Sequence, residues 1–350
     1  ADFQRDFVTL YIFSKKCYTC VAFICTPTQF TNGGNAMNIV LLESLAVDAA
    51  LLDSYVQPLK AAGHTFTSYE RTEDLNAQIR AAKDADILML ANMPLNEELI
   101  KNCPHLKYIN IAFTGVDHVP VALAKSKGIL VSNASGYSTQ SVAELTLGMI
   151  LSLLRNISAA HERCKNGLTK DGIVGHELSG KTVGIIGTGA IGMQSARLCQ
   201  AFGCKILAYN GFHPGKTAEG ITYLPLYPML EQSDIVLLHC PLTPQSKNLI
   251  DAKALSHMKP TALLINTARG PVVDSAALAN ALNAGIIAGA GIDVFEMEPP
   301  IPSDHPLCSC KNILLTPHVA FATAESMKLR ADIVFDNLQK FLNGTPVNLV

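Results

Sequence analysis

Three short segments late in the chain place polar residues where apolar runs end, and their types and order suit acid–base chemistry on a small anion. Arg269, in INTARGPVVD, stands just past an apolar run and before Gly270-Pro271, where a guanidinium can project into a cleft and grip a carboxylate with two N–H groups. Glu298, in GIDVFEMEPP, precedes two prolines, and His318, in LTPHVA, follows one. Stiff backbone of that kind suits a general acid and its partner. Each residue also has a plainer role when taken singly: Arg269 as a surface charge, His318 as a structural hydrogen bonder, Asp293 as a turn or cap.

A second chemical pattern lies upstream, in Lys181–Gly192 (KTVGIIGTGAIG). Val183, Ile185 and Ile186 read as a buried strand that stops at Gly187, Gly189 and Gly192. In a dinucleotide site Gly187 permits the tight turn, Gly189 lets backbone approach the pyrophosphate, and Gly192 lets the following helix pack on the strand. The anion then rests on free N–H groups of that helix. The context fits, because a helix is predicted over Ala190–Phe202, with Ile191, Ala196, Leu198 and Phe202 as its apolar side. Gly203 ends it and a strand follows over Lys205–Tyr209, completing a β-α-β unit.

The elements that must position these residues alternate along the chain. From Met37 to about Val131, strand-like runs (Ile39–Leu42, Ile87–Ala91, Leu106–Ile111, Ile129–Val131) are interleaved with helical patterns (Asp48–Ala62, Asp74–Lys83, Val119–Lys127). Such alternation predicts a parallel, doubly wound sheet. Ser141–Arg155 is apolar almost all round except for Glu144 and too short to span a membrane, so it is expected to be buried on both sides, between domains or between subunits of a homodimer. Asn166–Gly180 is polar and irregular. Beyond Tyr209, strands over Ile235–His239, Ala262–Ile265, Ile287–Ile292 and Ile313–Leu315, with a helix over Ser275–Ala284, predict a second and longer sheet. The final helical run, Ala324–Phe341, is placed to fold back onto the first half.

Composition narrows the function classes. The chain has 350 residues, 49 % hydrophobic and 16 % charged, enough for two domains with substantial cores. A net charge of −2 with scattered Lys and Arg offers no basic stripe for nucleic acid or a membrane surface, which points to a small-molecule partner. Ten cysteines form no evident disulfide framework, and a reducing, cytoplasmic compartment is expected. Residues 1–36 are unlike the rest, and TNGGN reads as a break before Met37, a candidate start. Cys17-x-x-Cys20 lacks a second ligand pair, so no metal is assigned.

Taken in order, GIIGTGAIG, HCPLTPQSKNLI, INTARG, GIDVFEMEPP and TPHVA resemble the D-isomer-specific 2-hydroxyacid dehydrogenases, over about Met37 to Val350. The resemblance implies an α/β fold of two doubly wound parallel-sheet domains. A flavodoxin-like substrate domain (37–137 plus 320–350) would join a Rossmann dinucleotide-binding domain (138–319). It implies a catalytic set of Arg269, Glu298 and His318. Cofactor contacts would come from Gly187, Gly189, Ala190, Ile191, Gly192, Asn210, Cys240, Pro241, Thr267, Ala268, Asp293 and His318. Thr114, Gly115 and Val116, in FTGVDHV, would bind the substrate carboxylate along with Arg269, and Ser135-Gly136-Tyr137 would line the cleft or serve as a hinge.

NAD-using members usually carry an acid where Asn210 stands, and Asn cannot repel a 2′-phosphate, so NADP stays open with NAD ranked first. Among activities, interconversion of glycerate and hydroxypyruvate leads, on the likeness of HVAFAT and its Phe321. Formate oxidation is disfavoured because Glu298 replaces the Gln of formate dehydrogenases. Phosphoglycerate oxidation is a weaker alternative, since no regulatory domain follows Val350. A rival of another class, an NAD-sensing corepressor, is disfavoured by the complete Arg–Glu–His set.

Overall fold

Short, fully buried strands of Ile, Val, Leu and Ala are what a parallel sheet covered on both faces requires, because crossover helices leave neither face to water. The computed structural model describes residues 36–209, 211 and 217–350, and in it such strands form two all-parallel sheets. The first comprises β1 (Asn38–Leu41), β2 (Thr65–Ser68), β3 (Ile87–Leu90), β4 (Tyr108–Ile111) and β5 (Leu130–Asn133) in the order β2-β1-β3-β4-β5. That is the flavodoxin-like order, with its switch point between β1 and β3. The second sheet comprises β6 (Thr182–Ile186), β7 (Lys205–Tyr209), β8 (Ile221–Tyr223), β9 (Ile235–Leu238), β10 (Leu263–Asn266), β11 (Gly289–Ile292) and β12 (Ile313–Leu315). Its order, β12-β11-β10-β9-β6-β7-β8, reverses direction at β6, the strand that ends in Gly187.

Alternation along the strands divides the second core in two. Ile235 and Leu237 of β9 join Val183, Ile185, Leu263 and Ile265 on one face. Val236 and Leu238 join Ile186, Leu264 and Ile292 on the other. Helix Thr139–Leu154 covers the first of these faces, packing on helix Ala190–Ala201 and on β10, β11 and β12. Seven of its residues, among them Val142, Met149 and Ile150, are buried, whereas Leu145, Leu147, Leu151 and Leu153 are only half-buried.

The last helix, Ala324–Leu342, returns to the first sheet, opened by a capping box between Thr323 and Ser326. Met327, Val334, Phe335 and Leu338 belong to the first core. Phe335 stacks on Tyr55 at 4.5 Å between ring centres and Phe341 on Tyr108 at 4.2 Å. Inside that contact, Asn110 Nδ2 donates to the Val334 carbonyl at 2.7 Å, and Ser132 Oγ donates to Val347 O at 2.6 Å.

The predicted strands and helices all appear within about two residues of the expected bounds, and two further strands were not predicted. The edge strands β2 and β8 carry no signal in the sequence, since TFTS and ITY face solvent and need no apolar run. Helices Glu97–Lys101, Ile157–Lys165, Leu226–Gln232 and Ala252–Ser256 were likewise not predicted, three of them being too short to show a period. Among the described residues, no single helix is long and apolar enough to cross a membrane.

The packing of the last helix gives a stability test. Phe335 is 7 % exposed, and Phe335→Ala should destabilise the first core by about 3–5 kcal/mol, measured by urea unfolding. A loss under about 1 kcal/mol would show that the helix rests on the sheet without completing its core.

Candidate active site

The C-terminal ends of β4, β6, β9, β10 and β11 converge on one cleft, the place where open α/β sheets bind ligands. Its main cavity, about 470 Å³, is lined from one side by Phe113–Asp117 and Ser135–Thr139, and from the other by Gly189–Ile191, His239–Leu242 and Thr267–Arg269, with Asp293, His318, Ala320 and Phe321 between. A second cavity of about 290 Å³ continues past Arg269 and His318 and is lined by Glu298, Glu296, Asn92 and Pro94.

The glycine turn is built as its chemistry demands. Gly187 has φ +97°, and a Cβ there would stand 2.7 Å from the backbone of His239 and Cys240. A Cβ on Gly192 would overlap the Gly187 carbonyl oxygen, so these two glycines shape the turn from behind the cavity wall. Gly189 faces open space. It is the N-cap of Ala190–Ala201 and offers no side chain to the first N–H groups, so those donors point into the cleft. The described residues therefore fit a dinucleotide: a bare helix N-terminus at an open glycine, beneath a cavity of ligand size.

At the other end of the cavity, Glu298 and His318 meet. The Glu298 oxygens lie 3.0 and 2.9 Å from His318 Nδ1, which leaves Nε2 as the ring nitrogen turned away from the carboxylate. Burial by itself would raise the Glu298 carboxyl. The His318 hydrogen bond and charge, with Arg71 and Arg269 behind, bring it below the ordinary carboxylate range. The imidazole is 12 % exposed and stands edge-on to Phe113 and Phe321, at 5.8 and 5.2 Å between ring centres.

His318 adopts φ +56°, a left-handed conformation uncommon for a residue with a side chain. Asp293, fully buried at the end of β11, holds it there. Its carbonyl accepts the His318 N–H at 2.8 Å. Its carboxylate accepts Thr316 Oγ1 at 2.6 Å, the Val319 N–H at 2.9 Å and the Ala320 N–H at 3.0 Å. Asp293, expected as a cofactor contact or a cap, anchors the histidine loop and also borders the main cavity.

The remaining expected residues divide as follows. Thr114, Gly115, Val116, Ala190, Ile191, Cys240, Pro241, Thr267 and Ala268 line the main cavity, as do Ser135, Gly136 and Tyr137. Asn210 lies outside the described residues. Arg269 is at the cavity wall, but its Nε hydrogen goes to Asp117, a residue the sequence reading passed over. His239 was also passed over. Burial pushes its pKa down to about 4, which favours the neutral imidazole, and its Nε2 has no partner among the described residues. A Glu–His pair two residues from the first, Glu296 with His305 at 3.2 Å, buries its histidine against Phe295 and ties the loop down away from the main cavity.

With this geometry in hand, the relatives of the chain are informative. Residues 147–320 match the family model for the NAD binding domain of D-isomer specific 2-hydroxyacid dehydrogenases. The hydroxypyruvate reductase of Blautia hydrogenotrophica is 35 % identical over 326 residues, covering 90 % of this chain and 99 % of that one. The glycerate dehydrogenase of Methylorubrum extorquens is 37 % identical over 313 residues, covering 87 % and 97 %. Among solved structures, the D-lactate dehydrogenase from Aquifex aeolicus complexed with NAD and lactic acid superposes with a TM-score of 0.78 at 32 % identity, covering 88 % of this chain and 96 % of that one. The chain belongs to the D-isomer specific 2-hydroxyacid dehydrogenase family, and is an oxidoreductase that moves a hydride between a nicotinamide cofactor and a small 2-hydroxy or 2-oxo acid.

Proposed function

We propose that this chain interconverts hydroxypyruvate and D-glycerate with NADH as the preferred cofactor, and that Arg269, Glu298 and His318 carry the reaction. The observation that carries the assignment is the Glu298–His318 contact at the wall of the cavity that Arg269 also borders. A dinucleotide whose pyrophosphate rested on the helix N-terminus at Gly189 would supply the hydride for C2. In reduction, Arg269 holds the substrate carboxylate and polarises the ketone, and His318 gives its Nε2 proton to the oxygen as negative charge grows there. Glu298 keeps His318 oriented through Nδ1. The rings of Phe113 and Phe321 shield the imidazole, while the Glu298 carboxylate keeps contact with solvent. In oxidation, neutral His318 takes the hydroxyl proton.

The names of the two curated relatives support hydroxypyruvate as substrate, and Phe321 beside His318 fits the aromatic expected there. NAD is supported by the NAD-bound Aquifex structure, while an acyclic imino acid reductase solved with NADPH, 28 % identical, keeps NADP in the comparison. Assay of a panel of 2-oxo acids with NADH and NADPH tests this. Hydroxypyruvate with NADH should give the highest kcat/KM, and turnover of no 2-oxo acid would sink the assignment.

The pair itself is tested by pH. Glu298→Gln removes the carboxylate paired with His318, so the pH profile of reductive kcat/KM should move along the pH axis. The rising limb of oxidation should move the same way. Profiles that overlay the parent's after scaling would reduce Glu298 to a loop residue.

We further propose a homodimer that covers the half-buried leucines of Thr139–Leu154, next to which Ile157, Leu168 and Val174 stand 52 %, 57 % and 85 % exposed. Sedimentation should give a dimer at micromolar concentration; a monomer throughout would refute it.

A further inference from the structure

The loop that follows β4 reaches across the cleft and takes hold of Arg269. Asp117 shares the Arg269 Nε hydrogen between its two oxygens, at 3.1 and 3.3 Å. Nη1 donates to the Ala268 carbonyl at 2.7 Å, and the guanidinium carbon stands 5.7 Å from the centre of the Phe113 ring. Nη2 lies directly over Gly115, where any Cβ would overlap it. Phe113, Gly115 and Asp117 of one loop thus form a seat for an arginine that belongs to the other sheet, 152 positions away in sequence.

The seat decides which way the fork points. A guanidinium is planar with five N–H donors, so fixing Nε fixes the plane and the direction of the other four. With Nε on Asp117 and one Nη1 hydrogen on Ala268, the donors left over are the second Nη1 hydrogen and the Nη2 pair. They form the end-on edge, which grips a carboxylate with two parallel bonds. Among the described residues Arg269 is the only ion-pair partner of Asp117. The adjacent His118 does not compete, since burial lowers its pKa and its Nε2 is spent on the Ala91 carbonyl at 2.8 Å.

We propose that Asp117 is a positioning residue for the substrate carboxylate: by holding Arg269 through Nε across the cleft, it presents the Nη1–Nη2 edge to the 2-oxo acid. This rests on the reading of Arg269 as the group that grips the carboxylate. The opposite consequence of the same contact would be competition, with Asp117 occupying the arginine and obstructing substrate.

Asp117→Asn keeps the shape and an acceptor for Nε but removes the charge. Steady-state kinetics of the full-length protein with hydroxypyruvate, or the best 2-oxo acid of the panel, should show kcat/KM down by about tenfold to a hundredfold, carried chiefly by KM for the oxo acid. KM for NADH should stay within about twofold, because the helix N-terminus that receives the dinucleotide is untouched. In an Arg269→Lys background the same substitution should cost less than about twofold more, since a point charge has no edge to orient. Unchanged or improved kcat/KM in Asp117→Asn would overturn the proposal in favour of competition. Equal losses in both backgrounds, or a parallel loss of NADH affinity, would overturn it in favour of general support of the loop. Parent-like kinetics of Arg269→Lys by itself would instead remove the reading of Arg269, and the proposal with it.

Discussion

The buried carboxylate of Asp293 is the constraint on which the site depends. It gathers Thr316 Oγ1 and the N–H groups of Val319 and Ala320, while its own carbonyl takes the N–H of His318. The left-handed backbone of His318 costs an L-residue roughly 1–2 kcal/mol, and three side-chain hydrogen bonds at about 1 kcal/mol each offset it. The result is a histidine whose ring direction is set by the end of β11 and not by its own loop. Nδ1 then falls to Glu298, and Nε2 is turned away from the carboxylate.

From that fixed point the rest of the cleft is assembled by two sheets that share no strand. The second sheet brings the glycine turn, Arg269, Asp293 and His318, and the first brings Phe113–Asp117 and Ser135–Thr139. The final helix secures the arrangement, because the segment carrying His318 runs straight into Ala324–Leu342, whose Phe335 and Leu338 are packed in the first core. The halves are thereby joined at two places: the helix on the outside, and the Asp117–Arg269 contact across the mouth of the cavity. Phe321, between His318 and that helix, touches both Phe113 and Tyr137, so the aromatic slot around the imidazole is also a joint between the halves.

Two Glu–His pairs take their glutamates from one loop, Glu296 and Glu298, and their contrast shows how environment assigns a role. His305 is buried with its Nδ1 accepting the Leu307 N–H, so both ring nitrogens are consumed in holding the loop. His318 spends only Nδ1 and borders both cavities. The same pair of residue types is a brace in one place and a candidate acid–base couple in the other.

Much of this was legible in the residues themselves. The strand–glycine–helix pattern of KTVGIIGTGAIG dictates its own local structure, since only glycine tolerates the φ of position 187 and the close packing at 192. Apolar runs of parallel strands, and the order of INTARG, GIDVFEMEPP and TPHVA at strand ends, marked where polar side chains would gather. Edge strands β2 and β8 were not legible, because an exposed strand needs partners and not an apolar pattern. Nor could FEMEPP by itself say which of its two glutamates, Glu296 or Glu298, faces His318; family likeness supplied that choice. The partnership of Asp117 with Arg269 and the work of Asp293 were decided by tertiary structure, because periodicity and local backbone preference act over a few residues. These contacts join positions 152 and up to 27 apart, and only the packing of the sheets brings them together.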